Sequence, residues 1–469
     1  MTRTAPFPGE GRCGGPDPEP GRTRVAVVGL GKIGLPLAVQ IAGKGHRVVG
    51  ADVNSATVDA VDAARVPFPG ETGLAERLTD VVGAGLLRAT TDTAAAVAEC
   101  SAVLLVVPLF VDGSGEPDFG WLDEATKAVA AGLRPGTLVS YETTVPVGTT
   151  RRRFGPMLEA GSGLRAGLDF HLVFSPERVF TGRVFADLRR YPKLVGGIDP
   201  TSAARAVEFY RSVLDFDDRS DLPRSNGVWD LGSAEAAELA KLAETTYRDV
   251  NIGLANQFAR YAASQGIDIN DVIEACNSQP YSHIHRPGIA VGGHCIPVYP
   301  RMYLWNDPSA TVVRAAREAN ETMPEYAVSV LEEAYGELAG ARVAVLGAAY
   351  RGGVKETAFS GVFPTVSALA ARGAMPMVHD PLYRDDELTA LGLRPYHLGN
   401  ALEAAVVQAD HPEYRTLGPA ELPGVRVLVD GRGITDPARW AAVTRRVIGV
   451  GPGERGERRP ENASSRDAG

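Results

Sequence analysis

Apolar and polar positions follow two alternating rhythms along this chain. Residues 25–28 (VAVV) form an aliphatic run of strand length, residues 33–44 carry apolar positions at helical spacing, and residues 47–51 (RVVGA) form a second short run. That order predicts a βαβ unit. Further strand-length runs at 102–107, 137–141 and 171–174 extend the same sheet through helical connections, so one α/β domain is expected up to about residue 227. The rhythm starts again at 342–346 (RVAVL), continues with a helix near 364–372 and a strand at 375–379, and closes on Asp380 and Pro381. A second, smaller α/β domain is expected there.

Between the two lies a different pattern. Residues 233–265 contain no proline and one glycine, and apolar side chains recur at Ala237, Leu239, Leu242, Tyr247, Val250, Leu254 and Phe258 at helical spacing. Such a helix would span on the order of 45 Å. It suits either a linker within a monomer or pairing with its copy in another subunit, and a homodimer is the expectation adopted.

The ends read differently again. Residues 1–22 and 451–469 are rich in Pro, Gly and charge and are expected to lack regular structure. The expected divisions are therefore two tails, an N-terminal domain (23–227), a central helical region (228–335) and a C-terminal domain (336–450).

Composition narrows the function. The 469 residues are 44% hydrophobic and 22% charged, as in ordinary globular proteins. A formal net charge of -9 disfavours a nucleic-acid or acidic-membrane binder, because phosphates would be repelled on average. No apolar run is long enough for a membrane span and no apolar leader opens the chain, so a cytoplasmic protein without membrane contact is expected. Cys13, Cys100, Cys276 and Cys295 show no paired spacing, which predicts neither a metal site nor a disulfide framework.

Two segments carry chemistry. Gly29, Gly31 and Gly34, with Lys32 and Ile33 between them, stand between the first strand and its helix. There glycines allow a tight turn and let a pyrophosphate approach the helix N-terminus. Asp52 ends the next strand, where a carboxylate can accept from an adenosine ribose diol and repel a 2′-phosphate, so NAD is the expected cofactor. A plain structural turn and a strand-capping aspartate are the alternatives.

The second segment, residues 287–297 (PGIAVGGHCIP), places Cys295 behind Gly292 and Gly293 and ahead of a proline. Glycines permit close ligand approach and unusual backbone angles, while proline fixes the exit. Local sequence leaves open a buried core thiol or a nucleophile. A nucleophile would attack an aldehyde to give a thiohemiacetal, whose oxidation gives a thioester that water cleaves. Lys241 on the long helix is the preferred source of positive charge beside it, ahead of His294, since sequence neighbours point apart.

With these residues in place, the chain resembles the UDP-glucose/GDP-mannose dehydrogenase family from about residue 24 to 450. The resemblance rests on separated motifs in order: GLGKIGLP, ETTVPVGTT (142–150), FSPERVF (174–180), AKLAETTYRDVNI (240–252), PGIAVGGHCIPV (287–298) and LGAAYRGGVKETAFS (346–360). It implies an α/β fold with an N-terminal Rossmann domain, a long central dimerising helix, and a C-terminal Rossmann-like domain for the nucleotide sugar. It also implies two NAD-dependent oxidations that turn the C6 hydroxymethyl of a UDP-sugar into a carboxylate.

By the same resemblance Cys295 is the nucleophile, and Lys241 holds substrate and stabilises oxyanion charge. Thr144 lies near the cofactor and the reacting carbon, and Glu177 beside the substrate. Arg178, His285, Arg286, Gly292 and Gly293 are the further candidates for substrate contact. NSQPYSHIHRPG (277–288) is similar to UDP-N-acetyl-D-mannosamine dehydrogenases, with UDP-glucose or UDP-N-acetylglucosamine as alternative substrates. Thr245, Tyr299 and Ala358 depart from the family's Asn, Asp and Arg. Those departures keep a third reading open, a non-catalytic nucleotide-sugar binder.

Overall fold

The computed structural model describes residues 22–112 and 115–452. The expected tails lie outside the described residues, except for 22, 451 and 452, and so does Cys13. The described chain divides into two compact units: unit 1 runs to Glu244 and includes Arg301–Asn306, and unit 2 comprises Thr245–Pro300 and the chain from Asp307 onward.

Unit 1 is built on an eight-stranded sheet. Its strands are β1 (Arg24–Val28), β2 (Arg47–Ala51), β3 (Leu87–Thr90), β4 (Ala102–Leu105), β5 (Leu138–Tyr141), β6 (His171–Phe174), β7 (Lys193–Gly197) and β8 (Val228–Asp230). They lie in the order β8-β7-β6-β5-β4-β1-β2-β3. All neighbours are parallel except β6 and β7, which pair antiparallel. Helices cover the sheet, so its central strands are largely buried and read as short, mostly apolar runs. That is why β1, β2, β4, β5 and β6 are legible in the sequence. β3 contains an arginine, β7 opens on a buried lysine and ends on two glycines, and β8 has three residues; no apolar period marks them.

Chain order reverses between β1 and β4. Strands β2 and β3 continue to one side of β1, whereas β4 returns on the other, which opens a crevice at the carboxyl ends of β1 and β4 where α/β proteins bind ligands.

Unit 2 repeats the device with five parallel strands, β9 (Arg342–Leu346), β10 (Met375–His379), β11 (Ala404–Val407), β12 (Val427–Asp430) and β13 (Thr444–Val447), in the order β10-β9-β11-β12-β13. Its switch point lies between β9 and β11. The expected helix near 364–372 is found at Val362–Ala371.

The long helix is present as Ala234–Ser264, 31 residues. Its apolar positions do not form one buried stripe, however. Ala237 and Leu242 are buried, while Leu239, Tyr247, Leu254 and Phe258 are exposed, as is Tyr261. Buried polar side chains hold the helix in unit 2: Arg317 Nη1 donates to Asp249 Oδ1 (2.7 Å) and Asn320 Nδ2 to the same oxygen (2.8 Å). Asn256 Nδ2 in turn donates to Asn320 Oδ1 (2.8 Å).

Candidate functional site

The glycine loop follows directly from β1. Gly29 has φ +94°, and a side chain there would meet the carbonyl of Val106, just beyond β4, at 3.1 Å. Gly34 opens the helix Gly34–Gly43, and a Cβ on it would lie 1.9 Å from the Gly29 carbonyl oxygen. Gly31 has open space above it, and no side chain caps the helix. A loop with free room over its middle glycine and an uncapped helix N-terminus suits a pyrophosphate, so the residues fit a dinucleotide. Lys32 is exposed and Ile33 partly buried on this loop.

Asp52 completes the cradle. Its Oδ2 accepts from the Leu30 amide (2.8 Å) and its Oδ1 from the Asn54 amide (2.9 Å). Those bonds fix the carboxylate on the loop, and each oxygen retains a lone pair for a ribose hydroxyl.

Thr144 and Glu177 follow the adjacent strands β5 and β6 in unit 1. Thr144 is buried, in a turn whose Gly148 and Thr150 amides donate to Glu238 at 2.5 and 2.8 Å. Glu238 lies on the long helix three residues before Lys241, which is also buried, so this carboxylate ties the lysine's helix to the turn carrying Thr144. Burial raises the Glu238 carboxyl to about 7 against the pull of those amides.

Glu177 Oε1 accepts from the Arg178 amide (2.8 Å), and its Oε2 from Lys193 Nζ (2.9 Å). Lys193 also donates to Glu142 Oε2 (2.6 Å), and Tyr210 Oη donates to Glu142 Oε1 (2.7 Å). Lys193, Glu142 and Tyr210 are all buried. Arg178 stands 3.9 Å from Glu244 and its Cζ 5.9 Å from the Tyr191 ring centre. Sequence reasoning missed Glu142, Lys193, Tyr210 and Glu238. No local pattern marks Lys193, since β7 shows no apolar period and Glu142 lies 51 positions earlier.

The other candidates lie in unit 2. His285 is partly buried, its amide donates to Asn251 Oδ1 (2.9 Å), and its Nε2 is buried without a partner. Burial, aided by Arg248, lowers its pKa, so the ring stays neutral and offers a donor or acceptor to a ligand. Arg286 is exposed. The Gly288 amide donates to Asn256 Oδ1 (2.9 Å) and the Ile289 amide to the Gly431 carbonyl (3.0 Å), which anchors the segment beyond β12.

The cysteine loop then packs on the loop after β9. Gly293, at φ +90°, donates to the Ala358 carbonyl (2.8 Å), and a Cβ on Gly292 would sit 2.6 Å from Tyr350 Cβ. His294 Nε2 lies 3.3 Å from Glu356 Oε1. Cys295 itself is exposed, and its carbonyl accepts from the Val298 and Tyr299 amides at 3.3 and 3.0 Å. Cys100, by contrast, is buried, and burial pushes its thiol up to about 12. The core-thiol alternative thus describes Cys100 and not Cys295. Of the three departures, Thr245 is buried, Tyr299 is partly buried, and Ala358 serves through its backbone.

Among the described residues no cluster of His, Cys, Asp and Glu could hold a metal, and no helix is long and apolar enough to cross a membrane.

Three models of the UDP-glucose/GDP-mannose dehydrogenase family match the chain: the NAD binding domain over residues 23–214, the central domain over 235–322 and the UDP binding domain over 344–437. A UDP-N-acetyl-D-mannosamine dehydrogenase of Pyrococcus horikoshii is 34% identical over 441 residues, covering 92% of this chain and 100% of the relative. The solved UDP-D-ManNAc dehydrogenase structure from that organism superposes with a TM-score of 0.80 at 32% identity, over 91% of this chain and 99% of the other. A UDP-glucose dehydrogenase structure from Pyrobaculum islandicum has the same TM-score at 27% identity, over 93% and 100% of the two chains.

Proposed function

The chain belongs to the UDP-glucose/GDP-mannose dehydrogenase family of NAD-dependent nucleotide-sugar dehydrogenases, and we propose that it converts UDP-N-acetyl-D-mannosamine to the corresponding uronate. The 34% identity to an enzyme of that name over 92% of the chain supports this sugar. The structural likeness to a UDP-glucose dehydrogenase favours UDP-glucose as the second choice.

The mechanism follows from residues of this chain. Bound NAD⁺ supplies a hydride acceptor for each of two oxidations. Lys241 holds the C6 oxygen and stabilises its developing negative charge. The Cys295 thiolate adds to the aldehyde carbon, and loss of a second hydride from that thiohemiacetal leaves a thioester. Water then adds, the C–S bond breaks, and the carboxylate departs. The balance is one sugar, two NAD⁺ and one water giving one uronate, two NADH and three protons. Thr144 and Glu177 flank the reacting carbon, and Arg178, His285, Arg286, Gly292 and Gly293 bind the sugar and diphosphate.

The observation that carries the covalent route is the exposure of Cys295 on a glycine-framed loop, since the thiolate is the attacking species and needs access. The test is NADH release with UDP-N-acetylmannosamine, UDP-N-acetylglucosamine, UDP-glucose and GDP-mannose. Two NADH per UDP-N-acetylmannosamine are expected; two per molecule of a different sugar and none with this one would replace the substrate. Cys295→Ser should abolish net acid formation, and full uronate production by that variant would remove the thioester.

The proposed domains are 23–227, 228–335 and 336–450, close to the three matched spans. The proposed assembly is a homodimer through the long helix. Tyr247, Leu254, Phe258 and Tyr261 are exposed at spacings of one face, and an apolar face of this kind is stable in water only when covered. A cytoplasmic location is proposed with it, supported by dependence on NAD. Sedimentation of the purified chain as a monomer at micromolar concentration would remove the dimer.

A further inference from the structure

The mechanism above makes no use of a buried chain of ionisable groups behind Glu177. Lys193 opens β7 and is 4% exposed at its side chain, and its ammonium lies between two carboxylates, Glu142 at 2.6 Å and Glu177 at 2.9 Å. Glu142 has no exposed side-chain surface and accepts a second hydrogen bond, from Tyr210, which also pairs with Ser140 Oγ at 2.7 Å. Two carboxylates thus share one buried cation, which offsets the penalty that burial places on the charge of Glu142. Of the two, Glu177 alone reaches a cavity, lined by Pro176, Glu177, Arg178, Asp187, Tyr191 and Lys193 among others.

We propose that Lys193 is a positioning residue for Glu177, holding its carboxylate fixed toward the substrate with a positive charge beside it, while Glu142 and Tyr210 set how much of the lysine's charge Glu177 receives. The inference rests on the reading that Glu177 lies beside the substrate. In thioester hydrolysis the attacking water gives its proton to Glu177 as its oxygen bonds to the acyl carbon, and the C–S bond electrons leave with the thiolate. That step needs Glu177 without its proton, and an opposite charge within hydrogen-bond distance favours that form.

The remaining charged and titratable groups around the cluster are accounted for within unit 1. Asp187 accepts from the Phe180 amide and from Arg183, and Arg178 stands between Glu244 and the Tyr191 ring. Tyr210 is held neutral by burial, with Glu142 beside it. Burial raises Glu142 in spite of Lys193, whereas Lys193 keeps its proton because the two carboxylates outweigh its own burial.

Substitutions at the two buried partners should move the acid limb of the rate in opposite directions. In Lys193→Met the acid limb of kcat for uronate formation is expected to move up by about one pH unit or more, with KM for the sugar little changed. In Glu142→Gln the competing charge is gone and the limb moves down. General structural damage lowers kcat in both variants but does not separate their pH profiles.

Folding is checked by circular dichroism and Tm, and if Lys193→Met does not fold, Glu142→Gln decides alone. An unmoved limb in a folded variant overturns the inference. Glu177→Gln separates the two levels: if it retains the wild-type limb and rate, the reading of Glu177 fails. If it loses the limb while the other variants leave it in place, only the role of Lys193 fails.

Discussion

Units 1 and 2 each build a crevice at a switch point, and each ends its second strand on an aspartate. Gly29 turns out of β1 under Val106, and Gly347, at φ +112°, turns out of β9 with its Cβ position 2.4 Å from the Cβ of Ala409. Asp52 accepts from the Leu30 amide directly after Gly29, and Asp380 does the same for Ala348 and Ala349 directly after Gly347, at 2.8 and 2.9 Å. The difference lies in what surrounds the acid. Asp52 is partly exposed and keeps lone pairs free, while Asp380 is buried and also takes His411 Nε2 at 3.1 Å and the Leu382 amide at 2.9 Å. Unit 2 thus satisfies its carboxylate internally, whereas the one in unit 1 keeps room for a further donor such as a ribose hydroxyl.

The comparison is most exposed at Gly34. Alanine there places a methyl against backbone that cannot yield without moving the loop, and NAD⁺ affinity is expected to fall about a thousandfold, ~4 kcal/mol. Calorimetry checks it, and near-normal binding would break the assignment of the cradle. Next comes Asp380→Asn, which leaves buried donors facing an amide and should cost about 2–3 kcal/mol in urea unfolding while NAD⁺ affinity stays unchanged. A drop in NAD⁺ affinity would show that the second acid also serves the cofactor.

Asp52→Asn reverses that profile. Stability should change by less than about 1 kcal/mol, NAD⁺ affinity should weaken roughly tenfold, and discrimination against NADP⁺ should relax. The smallest effect is in pH. Burial alone would raise Asp380, but His411 and the Ala349 and Leu382 amides outweigh it and hold the carboxyl below its ordinary value. Its stabilisation is therefore present above the unfolded value of about 4 and is lost as pH falls through the lower folded value. The stability gap between wild type and Asp380→Asn should narrow as pH is lowered below about 4, and a gap that widens there would reverse the sign.

Legibility followed burial only in part. β1, β2, β4 to β6 and β9 were readable as largely apolar buried runs, and β10 was readable although it is an edge strand with an exposed Met375 and a proline, whereas β11 (AAVV) and β12 (VLVD) are buried throughout and were not singled out. β3, β7, β8 and β13 carry arginine, lysine or too few residues to show a period. The candidate nucleophile was legible only in the company of the other motifs. Lys193 was not, because its partner Glu142 lies 51 positions earlier and nothing local announces that they meet.

By itself the sequence determined the two α/β rhythms, the glycine turn, the long helix and the motif order that assigns the family, all of them local patterns or their succession. Tertiary structure alone decided which aspartate stays open, which cysteine is exposed, which face of the long helix is left uncovered and which lysine is enclosed by carboxylates. Those are matters of desolvation and of contacts between distant positions, and neither has a period along the chain.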